Sequence, residues 1–117
     1  MPRILNFLAA ISACAAAAGC ATVPEAPSGS ELVGHGLRVE AEGAPVTTLR
    51  FDADGMVRAT VGTQQAAGRW EVANSQICVD FPRQGRECWH YRSRFEPGRP
   101  VALVSTGGAT ATVTLIP

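Results

Sequence analysis

The chain contains no lysine: all ten of its basic residues are arginine, and they stand against ten carboxylates. A zero balance over 117 residues removes the electrostatic argument for a nucleic-acid partner, because such binders need a basic excess to neutralise phosphate. Histidine is scarce, with only His35 and His90 present and neither at a ligand-like distance from a cysteine, so the spacings of zinc sites are missing. There is no Gly-rich phosphate loop, no Gly-x-Ser-x-Gly elbow around Ser75, Ser93 or Ser105, and no spaced pair of catalytic carboxylates. No segment sustains a 3.6-residue apolar period, which argues against a helical bundle. The expectation is a single small domain that is not an enzyme and carries no metal or other cofactor.

One long apolar run is present. Arg3 precedes residues 4–18, a stretch broken only by Asn6 and Ser12. It is too short to cross a hydrocarbon layer of about 30 Å as a helix, and it has the charge-then-apolar-then-small order of a secretory signal peptide. Residues 1–19 are therefore expected to be removed on export. The end of the run, Ala17-Ala18-Gly19-Cys20, resembles a bacterial lipobox, in which a cysteine after small residues takes a lipid. That resemblance implies a mature chain beginning at a lipidated Cys20. Ile11-Ser12-Ala13-Cys14 is a second fit with a shorter apolar core before it, and ordinary cleavage after an Ala-x-Ala site is a third route; Cys20 is favoured. Residues 20–34 are rich in Pro, Ser and Gly and read as a tether. Ala21 stands where inner-membrane lipoproteins often carry aspartate, so the same resemblance implies a periplasmic domain anchored to the outer membrane.

Processing changes the meaning of the cysteines. Cys14 is lost, Cys20 is capped, and Cys78 and Cys88 are left with nine residues between them. In an oxidising compartment these two are expected to form a disulfide. Charge is also unevenly placed: residues 25–54 hold six acids and two arginines, whereas residues 83–99 hold five arginines and two glutamates.

Period-two alternation begins at Leu37 and is broken by turn residues every eight to twelve positions. Leu37 and Val39, then Leu49 and Phe51, then Val57, Ala59 and Val61 form one face, with Arg38, Arg50 and Arg58 on the other. A softer connection over residues 64–68 leads to Trp70 and Val72. Ile77, Val79 and Phe81 follow, then a strand carrying Trp89, Tyr91 and Phe95 against Cys88, His90, Arg92 and Arg94; two last strands flank Gly107-Gly108. Residues 35–117 are thus expected to be an all-β domain: a small eight-stranded antiparallel up-and-down barrel, or a flattened barrel-like sandwich, with one hairpin disulfide. Facing Cys78 with Cys88 also sets Ile77 against Trp89, Asp80 against Arg86 and Gln76 against His90, a register in which apolar meets apolar and opposite charges meet. The large aromatics should fill so narrow a barrel.

Three constellations could carry chemistry. Asp52-Ala53-Asp54-Gly55 has two calcium-loop positions but lacks the glutamate at the twelfth, so it reads as a hairpin turn. Asp80 and His90 can share a face, which makes a small hydrolase a distant alternative. Arg83, Arg86, His90, Arg92 and Arg94 form a basic group suited to phosphate or carboxylate.

Gly68-Arg69-Trp70-Glu71-Val72, followed by Ile77-Cys78-Val79 and Cys88-Trp89, with Phe51-Asp52-Ala53-Asp54-Gly55 upstream, resembles a pattern of small exported bacterial proteins of unknown function. The Gly-x-Trp stretch leading into a cysteine strand is also similar to lipoprotein inhibitors of bacterial metalloproteases, which implies a lipocalin-like barrel with one disulfide. The first expectation for function is a non-enzymatic envelope lipoprotein that binds a protein or an anionic envelope polymer through its exterior, in an inhibitor-like way. The alternative is a carrier of a small apolar ligand inside the barrel.

Overall fold

A computed structural model describes residues 26–117, so residues 1–19, expected to be a signal peptide, together with Cys14 and Cys20, lie outside the described residues. The alternating segments form eight strands: β1 (Gly36–Glu40), β2 (Thr47–Phe51), β3 (Met56–Val61), β4 (Gln64–Ala73), β5 (Gln76–Phe81), β6 (Gly85–His90), β7 (Val101–Val104) and β8 (Thr110–Ile116). They make one antiparallel sheet in the order β6-β5-β4-β3-β2-β1-β8-β7. Trp89 bridges Ser105 and the Thr106 amide donates to the Cys88 carbonyl at 2.9 Å, which brings β7 round to β6 and nearly closes a barrel.

The hairpin of β5 and β6 has the register that charge and polarity matching requires: Gln76 opposes His90, Ile77 opposes Trp89, Cys78 opposes Cys88 and Asp80 opposes Arg86. The Cys78–Cys88 disulfide joins the two strands on the outer side, while Ile77, Val79, Phe81 and Trp89 turn inward. Loop entropy makes such a short covalent ring worth about 2–3 kcal/mol. The Asp52–Gly55 segment is a hairpin turn, with Gly55 at φ 88 and the Asp54 carboxylate accepting from the Met56 amide at 3.0 Å. Asn74 and Ser75 have φ of 54 and 57, the paired left-handed residues of a two-residue hairpin loop.

Three details differ from what the sequence led us to expect, and each has a local cause. The softer connection over residues 64–68 is strand: Gln64 to Ala67 pair with Val61 to Arg58. Its inward positions are Gln64, Ala66 and Gly68, too small or polar to show an apolar period. The strand with Trp89 ends at His90, where the Tyr91 amide donates to the Ser75 carbonyl at 2.8 Å instead of continuing a ladder with β7. Residues 91–100 then cross one end of the barrel. Finally, part of the stretch read as a tether is packed: Ser30–Leu32 form a 3-10 turn and Leu32 is fully buried.

Those last two departures meet in a plug. Gly29 reaches φ 85 and lies so close to Trp70 and Val72 that an added Cβ would be 2.8 Å from Val72 Cγ2. The turn that follows places the Glu31 carboxylate under the crossover, where its Oε2 accepts from the Tyr91 hydroxyl and, at 2.8 Å, from the Phe95 amide. Tyr91 stacks on Phe95 with ring centroids 5.1 Å apart. Burial pushes the Tyr91 phenol well above its ordinary value, the Glu31 carboxylate adds to the rise, and the Gly29 backbone and Arg94 oppose it. Leu32, Phe51, Tyr91 and Phe95 thus seal this end.

Between the plug and the middle of the barrel, the Gly-x-Trp motif has a packing reason. Trp70 sets its ring edge-on to Phe51 at 5.1 Å and donates its indole N–H to the Asp52 carbonyl at 3.0 Å. Gly68 is where β5 leans on β4, and a Cβ there would be 2.4 Å from the Asp80 carbonyl oxygen and 2.7 Å from Phe81 Cδ1.

Candidate functional site

Antiparallel order puts the turns after β1, β3, β5 and β7 at the end of the barrel opposite the plug. The interior is not sealed there. A cavity of about 650 Å³ runs in from that end, walled by inward residues of strands all round the barrel, among them Val39, Leu49, Ala59, Val79, Trp89 and Val113. Its floor is Leu37, Phe51, Ile77 and Leu103, all buried above the plug. Thr47, Gln64, Gln84 and Glu87 stand around the mouth. The expected packed core is therefore corrected: Tyr91 and Phe95 are taken up by the plug, Phe81 and Trp89 stand in the cavity wall, and small residues such as Ala59, Ala66 and Ala111 leave the other half open.

Glu87 is the charged residue among the lining groups. Its place follows from β6 itself: Arg86, Cys88 and His90 point out, so Gly85, Glu87 and Trp89 point in. Glu87 opposes Val79 in the ladder and forms no ion pair among the described residues. The signal was present in the sequence, since parity with Trp89 puts this carboxylate on the apolar side of its strand.

The basic group does not form one strand face. Arg83 occupies the turn at the mouth, with φ 75, and is exposed. Arg86 is on the outer side of β6 and pairs with Glu71. His90 ends the strand, and Arg92 and Arg94 belong to the crossover at the plugged end. Arg94 Nε lies 3.7 Å from Glu31 Oε1.

The register also separates the pair considered for hydrolysis. Asp80 is level with Arg86 and His90 with Gln76, and the disulfide lies between them. Four strand residues span about 13 Å, far beyond the reach of a hydrogen bond.

Compared with protein families, with curated proteins and with solved structures, the chain matches none. The cavity wall is apolar along its depth, aromatic at Trp89, and polar at the rim, the pattern of a pocket that shelters an apolar body and meets a polar end near solvent.

Proposed function

We propose that the chain is a non-enzymatic, exported binding protein of the bacterial envelope that takes a small apolar molecule into its barrel and is held at the outer membrane through a lipidated Cys20. The observation that carries the binding reading is the cavity of about 650 Å³, a volume in the range of small-molecule sites and lined mainly by aliphatic and aromatic groups. Export is supported by the charged, apolar and small-residue order of residues 1–19 and by a disulfide of the kind that persists in oxidising compartments. Recognition of an acidic partner by the exterior has less behind it. Arg86 and Arg94 already face Glu71 and Glu31, and the five basic candidates are divided between the two ends of the barrel.

Titration with N-phenyl-1-naphthylamine, a neutral apolar fluorophore, tests the binding reading. We expect saturable enhancement at one site per chain, accompanied by a change in tryptophan emission, since Trp89 stands in the cavity wall. Ala59→Phe, which puts a ring into the cavity from the β3 wall, should remove most of that enhancement while the protein stays folded. No saturable signal with the parent protein would refute a ligand-carrying barrel. Anchoring is read independently by mass spectrometry of the mature N-terminus: a diacylglyceryl cysteine at position 20 supports it, and an unmodified N-terminus refutes it.

A further inference from the structure

We propose that the ligand is an amphiphile with a cationic head, a protonated amine on an apolar body, and that Glu87 binds that head at the cavity mouth. The inference rests on the cavity reading and deepens it by naming the chemical class of the occupant. Its basis is the charge of the lining: Glu87 is turned inward by strand parity, stands at the rim, and is paired with no cation among the described residues. Of the other polar rim groups, Gln84 stands nearest in the chain, in the turn that leads into β6, and offers an amide oxygen that can accept a further N–H bond of an ammonium.

The arginines do not supply an alternative. Arg83, at the tip of the turn after β5, is exposed and is not part of the wall. Arg38, on the outer side of β1, faces Glu40 at 3.4 Å, and Arg86 faces Glu71. Glu42, in the turn after β1, adds a further carboxylate to this end of the molecule. A fatty acid seated tail-first would bring its carboxylate against Glu87, and two like charges at a rim repel. An amine seated the same way gains a charge-assisted hydrogen bond. Trp89, two residues further along β6, provides an aromatic surface below that head group.

Three probes with the same tail separate head-group chemistry from burial: octylamine, 1-octanol and octanoate, each competing with N-phenyl-1-naphthylamine on the full chain at neutral pH. Octylamine is expected to displace the fluorophore at about tenfold lower concentration than octanoate, the ratio that one charge-assisted contact near solvent supplies, with 1-octanol between them. Glu87→Gln should bring the three probes together, and Glu87→Lys should reverse their order. Both substitutions fall on an exposed position of the edge strand β6, so folding is not at stake. Equal displacement by octylamine and octanoate, or a preference for the amine that survives Glu87→Gln, overturns the cationic-ligand inference and leaves the cavity reading standing. Failure of the fluorophore to bind the parent protein overturns both.

Discussion

Glu31→Ala lowers the stability of the barrel by about 2–4 kcal/mol, because two buried donors lose their acceptor together and each orphaned donor costs about 1–3 kcal/mol. The donors are the Tyr91 hydroxyl and the Phe95 amide, both held by the same carboxylate oxygen. Arg94 adds little to this sum, since its side chain is 67% exposed and solvent screens it. In a domain of this size the loss shows as a drop of about 10 °C or more in Tm. Tyr91 reports the same event optically, as the one tyrosine in the chain.

In the parent protein the folded state holds Tyr91 as the neutral phenol, and burial raises its pKa above the ordinary value. Its contribution to stability is therefore complete below about pH 10, the unfolded-state value, and is lost as the pH rises toward the elevated folded value. Removing Glu31 takes away the hydrogen bond and the negative charge that add to that elevation, so phenolate absorbance should appear at lower pH in Glu31→Ala than in the parent. Burial remains, so part of the elevation remains too. An unchanged melting temperature together with an unchanged phenolate titration would show that Glu31 does not secure the plug.

Gly68→Ala is the second large effect, and it acts by overfilling instead of emptying. The new methyl would stand 2.4 Å from a backbone carbonyl oxygen, which is not the far end of a flexible side chain that could swing away. Relief requires β4 and β5 to separate around the Gly68 and Asp80 level, or β4 to bulge. Core overpacking costs about 1–3 kcal/mol and occasionally more, and a contact with backbone belongs at the upper end. Denaturant unfolding gives the number. Phe81→Leu in the same chain should recover only a minor part, because it relaxes the 2.7 Å contact with the ring and leaves the carbonyl in place. A Gly68→Ala protein within about 0.5 kcal/mol of its parent would mean that the two strands are not pressed together at this level.

Gly68 also shows why part of the structure was legible in the residues and part was not. Strands whose inward positions are large announce themselves: Leu49 and Phe51, or Ile77, Val79 and Phe81, alternate with polar residues and appear as strands with the expected register. The first half of β4 carries Gln64, Ala66 and Gly68 at its inward positions, and its period is silent for the same reason that the barrel has room inside. One cause, small inward side chains, both erases the strand signal and makes the cavity, so the same positions conceal the strand and the space inside it. The plug was hidden differently. Tyr91 and Phe95 continue the parity of Trp89, and alternation cannot tell a strand from a crossover that buries every second or fourth side chain by coincidence. Glu31 could not be placed at all without the fold, since its partners are 60 and 64 residues away in the chain. Glu87, by contrast, was readable: once Trp89 faces inward, strand geometry sends Glu87 the same way.

The seam of the barrel gives the disulfide a mechanical meaning. Around most of the circumference each strand is zipped to its neighbour along its length, but β6 meets the far side only where Trp89 bridges Ser105 and where the Thr106 amide reaches the Cys88 carbonyl. A crack that starts at this joint would peel β6 outward, away from β5. Cys88, the residue that carries the joint's hydrogen bond, is the residue riveted to Cys78. The covalent stitch therefore sits where tearing would begin, and it lets the barrel tolerate an imperfect closure.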